Sequence, residues 1–287
     1  MARVLTLLTD FGWADYYVGA VKGTVLRLAP GTQLVDLSHE VPPGDVEAAA
    51  DLLAAAAPTF LAGTVHLAVV DPGVGSARRL LVVEAGGHQF VAPDNGLLTP
   101  QLRAGGEAWS VTRRELFLDV VAGGGVTFHG RDRFAPIAAA LLRGERPSAL
   151  GEPITDAVRL AIPKARRESE GENSILHGRV VRVDRFGNLI TDLPAAWLDD
   201  ADDAGGVTIR LDQGEAGVIG PVRRLHRVRF YDELLAGQPG ILVGSLGTLE
   251  LALRGESLAA RWAIRRGAAV RVEVSTRGGD GAAPRRA

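Results

Sequence analysis

Residues Val4–Leu8, a nearly unbroken apolar run that ends at Thr9-Asp10, constrain the fold more than any other stretch. A run without polar alternation describes a strand covered on both faces, not one with a wet side. Asp15–Leu28 follows with apolar residues at helical spacing and stops at Pro30-Gly31, and Gln33–Leu37 reads as a second strand. Pro42-Pro43-Gly44-Asp45 then introduces a helix from Val46 to Ala57, with Asp45 as its N-cap and Pro58 as its end. Thr64–Val70 is a third strand. Two βαβ units in succession predict an α/β domain with a mainly parallel central sheet and right-handed crossovers.

Leu80–Glu84 and Gln89–Ala92, joined through Gly86-Gly87, extend that sheet as a hairpin, and Asp132–Arg143 is a helix that tolerates Pro136 near its start. The charged, turn-rich segment Pro163–Asn173 marks a linker. Beyond it, short strands are expected at Val180–Val183, Leu189–Leu193, Val207–Leu211, Arg227–Tyr231, Ile241–Val243, Thr248–Leu253 and Ala269–Val274. Their regular spacing between Gly, Pro and Asp turns predicts a small barrel or sandwich. The domains expected are therefore 1–165 (α/β) and 174–275 (all-β, barrel-like), followed by a disordered tail at 276–287.

A chain of 287 residues accommodates two such domains, and 46% hydrophobic residues supply their cores. The net charge of −2 is scattered over both signs, which argues against nucleic acid as a partner. The absence of cysteine excludes disulfides, thiolate metal sites and cysteine nucleophiles. The N-terminus reads as a first strand, not a signal peptide, and no apolar run reaches the length of a membrane span. A cytoplasmic protein without a membrane partner is expected.

Chemistry gathers in four places. Ligands of open parallel sheets sit outside the carboxyl ends of the strands, where Asp10 and Asp71 fall. In VVDPGVGSARR, Val69–Arg79, Asp71 is followed across a tight loop by Arg78 and Arg79; a loop-anchoring ion pair and a catalytic one fit equally. Asp36, near the end of another strand, reads as a cap for the following helix. In GGGVTFHGRDRF, Gly123–Phe134, Thr127 and Phe128 precede His129, which can serve as general base, hydrogen-bond donor or helix cap. VDRFGNLITD offers Phe186 for ring stacking and Asn188 for edge recognition beside Asp184, or simply a β-turn. GSLGTLELA places Ser245 between glycines whose N–H groups suit a carboxylate. The remaining histidines, His39, His66, His88, His177 and His226, read as structural or surface residues. No P-loop, GxGxxG, GxSxG or spaced metal-ligand set is present.

Taken in order, LTDFG, VDPGVGSARR, APDNG (Ala92–Gly96), TFHGRD, VDRFGN and GSLGTLELA resemble the S-adenosylmethionine hydroxide adenosyltransferases, relatives of the fluorinases and chlorinases. The resemblance runs to about Val274. It implies an N-terminal α/β domain, a C-terminal β-barrel domain, and a homotrimer with sites at subunit interfaces. It implies hydrolysis of S-adenosyl-L-methionine to adenosine and L-methionine, with no cofactor and no metal. Asp71, Arg78 and His129 match the set that handles the water, and Arg79 is a neighbour. Asp10 matches the ribose ligand, Asp184 the acid facing the methionine amine, Asn188 the adenine reader and Ser245 the carboxylate binder. Asn95, Thr127, Phe128, Phe186 and Glu250 complete the expected substrate-binding set. Leu246 departs from the halogenating relatives, which place an arginine there. The presence of the histidine favours water over a halide, and the other readings are a non-catalytic adenosine or S-adenosylmethionine binder and a metal-dependent hydrolase using Asp10, Asp71 and His129.

Overall fold

A computed structural model describes residues 3–119, 127–170, 173–198, 207–212 and 223–275. The chain divides into two compact units, Met1–Ala161 and Ile162–Ala287. No helix among the described residues is long and apolar enough to cross a membrane.

The first unit is built on a seven-stranded sheet. Its elements are β1 (Arg3–Thr9), α1 (Tyr17–Leu28), β2 (Thr32–Ser38), α2 (Val46–Ala56), β3 (Val65–Val69), β4 (Leu80–Ala85), β5 (His88–Pro93), α3 (Thr99–Arg103), β6 (Glu107–Val111), α4 (Ala135–Leu142), α5 (Pro147–Leu150) and β7 (Gly151–Ile154). The strand order is β2-β1-β3-β5-β4-β6-β7. Pairings β1–β2, β1–β3 and β3–β5 are parallel, whereas β4–β5, β4–β6 and β6–β7 are antiparallel. The sheet is therefore mixed, which corrects the expectation of a mainly parallel one. The reason is local: Gly86 and Gly87, at φ 58° and 81°, make a two-residue turn that can only return the chain antiparallel.

The run in β1 is apolar because both sheet faces are covered. Leu5 and Leu7 join Leu67 and Val69 of β3 under Val21 and Val25 of α1 and the whole of α4. Leu8, Ala68 and Val70 face the other way, against Ala49 and Leu53 of α2 and Leu102 of α3. α4 is buried on every side, and its alanines let it pack closely. Truncating Leu5 or Leu67 to alanine would cost about 2–5 kcal/mol. Asp45 caps α2 as read from the sequence, accepting a hydrogen bond from the Ala48 amide at 2.9 Å. Asp36, by contrast, caps no helix. It binds Lys22 (2.6 Å) and His39 (3.0 Å), because β2 lies beside α1 and its carboxylate meets the lysine there.

The second unit is a closed barrel of β9 (Asn173–Val183), β10 (Leu189–Pro194), β11 (Val207–Asp212), β12 (Arg223–Arg227), β13 (Gly240–Val243), β14 (Thr248–Ala252) and β15 (Ala269–Ser275). Seven strands run β10-β14-β13-β12-β11-β15-β9, and the β9–β10 pairing closes the ring. Inward residues such as Leu176, Leu189, Ile209, Leu225, Ile241, Leu251 and Val272 form one core. A further strand, β8 (Arg166–Glu170), pairs antiparallel with β9, so the middle of the segment expected to be a linker is a charged edge strand. The strand expected at Arg227–Tyr231 is displaced: β12 ends at Arg227, and Tyr231–Glu233 is a 3₁₀ turn. Helix α6 (Leu258–Trp262) packs onto the barrel core through Leu258 and Ala259. The tail expected at 276–287 lies outside the described residues.

Candidate active site

In the first unit, β1, β3 and β5 end on the same edge of the sheet and deliver Asp10, Asp71 and Asn95 there. Behind Asp71 the chain tightens. Val74 N–H reaches the Asp71 carbonyl (3.2 Å) and Ser76 N–H the Gly73 carbonyl (3.0 Å), which turns the backbone toward β4. That turn brings Arg78 back onto Asp71. Its Nε donates to Oδ1 at 2.5 Å and its Nη2 to Oδ2, a bidentate pair. The two side chains are only 6% and 9% exposed.

The same Nη2 lies 2.9 Å from Nδ1 of His129, which is 2% exposed. A guanidinium has donors only, so Nδ1 must accept, and the neutral ring carries its proton on Nε2. The Arg78 guanidinium also lies over the Phe134 ring, 5.3 Å from its centroid. His129 opens a π-turn, Gly130–Phe134, that runs into α4, an irregularity of a kind frequent at functional sites. Two residues of one loop and a histidine 51 residues further on thus share one buried contact. The glycines ahead of it, at 123–125, lie outside the described residues.

Arg79 points elsewhere. It bonds Asp94 (2.7 Å) and Asp156 (2.8 Å), and Asp94 also accepts from the Val158 amide (2.8 Å). This second aspartate–arginine pair ties β5 to the segment beyond β7. Asn95 is likewise engaged with the backbone, donating to the Val70 carbonyl at 2.9 Å and accepting from the Leu97 amide at 3.2 Å. It fixes the end of β3, immediately before Asp71.

Asp10 accepts from the Gly44 amide at 2.8 Å. Its loop is held from beneath by buried His39, which bridges Thr9 Oγ1 (2.7 Å) and Asp36. Phe128 sits among Phe11, Tyr16 and Tyr17, with ring centroids 5.0–6.3 Å away, and Thr127 is exposed. Trp13 and Tyr16 are large exposed aromatics on the Asp10 loop. The sequence reading passed over both residues; the density of aromatics in FGWADYY was the signal available.

In the second unit, Asp184 and Asn188 form one turn. The Asp184 carboxylate accepts from the amides of Phe186 (2.9 Å) and Asn188 (2.8 Å) and from the Asn188 side chain (2.9 Å). Gly187 lies at φ +84°, and a Cβ there would strike Ser257, so this position requires glycine. Phe186 projects into solvent at 77% exposure. Ser245 is exposed in a turn in which Gly244 and Gly247 N–H groups bond Thr248 and Gly244 carbonyls, so neither amide is left for a carboxylate.

Glu250 is buried and accepts from the Tyr231 hydroxyl. Burial raises its pKa above the usual carboxylate range, and the Asp184 charge adds to this, against the lowering effect of Tyr231 and Arg182. Burial and the same carboxylates push Tyr231 above the ordinary phenol range. Tyr231 was invisible to motif reading because it lies 19 residues from its partner. Among the described residues, no group of three or more His, Cys, Asp or Glu side chains is placed to hold a metal ion.

Comparison with known proteins identifies the family. Residues 5–151 match the SAM hydroxide adenosyltransferase N-terminal domain, and residues 178–271 match the corresponding C-terminal domain. A Thermus thermophilus protein named (R)-S-adenosyl-L-methionine hydrolase is 38% identical over 276 residues, 94% of this chain and 99% of its own. A Salinispora tropica protein of the same name is 45% identical over 198 residues, 64% of this chain and 70% of its own. A crystal structure of an uncharacterized conserved protein from Thermotoga maritima superposes with a TM-score of 0.81 at 30% identity, covering 93% of this chain and 99% of the other. With both domain models matched and a relative aligned along nearly its whole length, the chain belongs to the SAM hydroxide adenosyltransferase family.

Proposed function

We propose that the protein hydrolyses S-adenosyl-L-methionine to adenosine and L-methionine. The observation that carries this reading is the buried contact of Asp71, Arg78 and His129. The substrate is a sulfonium, so its C5′–S bond breaks with methionine leaving as a neutral thioether. Water supplies the new C5′–O bond and the reaction releases one proton. Holding that water in line with the breaking bond is the chief task of the protein.

With Nδ1 accepting from Arg78, His129 acts through Nε2–H. In this reading that N–H donates to the water and leaves an oxygen lone pair for the carbon. Both Asp71 oxygens accept from Arg78, so Asp71 positions the guanidinium and Arg78 positions the imidazole. The attacking water becomes a protonated alcohol, acidic enough to lose its proton to solvent without a dedicated base. His129 is therefore assigned as a donor.

Asp10 is assigned to the ribose hydroxyls. Asp184 and Glu250 are assigned to the methionine ammonium, Asn188 to adenine, and Ser245 to the carboxylate through its hydroxyl. The proposed assembly is a homotrimer with sites at subunit interfaces, and no cofactor takes part. The relatives' names specify the R form, so the proposed substrate is the (R)-sulfonium epimer. The test is to incubate purified protein with resolved (R) and (S) substrate, in halide-containing buffer, with and without chelator. Equimolar adenosine and methionine, formed faster from (R) and insensitive to chelation, are expected. Binding without turnover would instead indicate a sensor, and a 5′-halo-nucleoside a halogenase.

A further inference from the structure

A cavity adjoins Arg78, the arginine of the triad. It measures about 440 Å³ and is walled by Arg78, Arg79, Arg114 and Arg133, with the hydroxyl side chains Ser110 and Thr112. Among the described residues, no acidic side chain lines it. Two of its four cations are balanced from outside: Arg78 by Asp71, and Arg79 by Asp94 and Asp156. Arg114 and Arg133 have no carboxylate partner among the described residues, and Arg133 is held over the Phe117 ring at 5.5 Å.

Guanidiniums gathered around one basin without an acid repel one another unless an anion sits between them. The effect is felt at Arg133. Burial, then the neighbouring Arg78 and Arg114 charges, push its pKa below the ordinary arginine value, against a weaker opposing pull from Asp132. Arginine forks and hydroxyl donors together match a tetrahedral oxyanion, which accepts several charge-assisted hydrogen bonds at once.

We propose that this basin is a binding site for a phosphate group, either free or at the head of a small phosphate ester, and that its occupation is felt by the active site through Arg78. Arg78 uses Nε and Nη2 on Asp71 and His129, which leaves Nη1 as the donor for the anion. An anion on Nη1 competes with Asp71 for the same cation and loosens the hold on His129. The site itself stands independently of the hydrolase reading; only the effect on turnover rests on it.

The test is calorimetric titration of the full chain, without substrate, using inorganic phosphate and ribose 5-phosphate against chloride at equal ionic strength. Saturable binding is expected for phosphate and not for chloride. Tighter binding of the ester would identify an ester as the occupant, and equal or weaker binding would identify free phosphate. Arg114→Ala and Arg133→Gln should each weaken binding about tenfold, the loss of one charge-assisted contact. Arg114 is exposed, so Arg114→Ala carries the test if Arg133→Gln fails to fold. In wild-type protein, phosphate should lower kcat with KM unchanged, and in Arg114→Ala this inhibition should need about tenfold more phosphate. Heats equal to those of chloride, or an Arg114→Ala variant that binds like wild type, would overturn the site. Binding that leaves kcat unchanged would overturn the link through Arg78.

Discussion

Replacing Asp71 with asparagine tests the triad and its energetics together. The substitution keeps the shape but removes the charge, and it turns one acceptor into an NH₂ that faces an Arg78 N–H. Breaking a buried ion pair typically costs about 3–5 kcal/mol, because the surviving charge is left unpaired. Arg78 retains its bond to His129 and 9% exposure, so it can recover some hydration; about 2–3 kcal/mol is expected here. For a protein of this size that corresponds to roughly 4–12 °C in Tm. Turnover should fall further than stability, by about 10²–10⁴-fold, because a displaced Arg78 no longer fixes the imidazole. Calorimetry and adenosine formation on the same sample, at a temperature where both proteins are folded, separate the two effects. An Asp71→Asn variant with wild-type Tm and wild-type kcat would refute the reasoning.

Three further outcomes follow from the geometry. Asp94→Asn breaks the neighbouring pair with Arg79, which ties β5 to the 156–158 segment; Tm should fall by several degrees while kcat holds within about twofold. His66 is buried between Thr6 and His88, and burial, reinforced by the His88 charge, lowers its pKa from 6.5 to about 3. The unfolded chain therefore binds a proton that the fold refuses. This contribution is complete above pH 6.5 and is lost as pH falls toward 3, at about 1.4 kcal/mol per pH unit, a slope that His66→Asn should remove in pH-dependent denaturation. Tyr231→Phe removes the hydrogen bond that steadies Glu250, so substrate KM should rise about tenfold with kcat nearly unchanged.

What the sequence conveyed follows from which residues carried a local signal. β1 and β3 were legible because burial on both faces writes a continuous apolar run. Asp45 was legible because a cap acts on its own helix. The β4–β5 hairpin was legible from Gly86-Gly87, but β6 and β7 beyond it were not, since both are short and β7 carries Pro153. β8 reads as a charged linker because its charges suit an exposed barrel edge. Val228 and Phe230 mimic strand alternation, although Phe230 is exposed and the chain is already turning. At the site, the Asp71–Arg78 pair could be suspected from spacing, but the choice between Arg78 and Arg79 could not. That choice depends on Asp94 and Asp156, which approach only through tertiary packing. His129 stood out in its own segment, but its meeting with Arg78, 51 residues away, came from the family resemblance alone.

The central claim is that water attacks the ribose 5′ carbon. Mass spectrometry of the products formed from S-adenosyl-L-methionine in ¹⁸O-labelled water tests it directly. The label should enter adenosine once per turnover and be absent from methionine. Unlabelled adenosine, or label in methionine instead, would contradict the account.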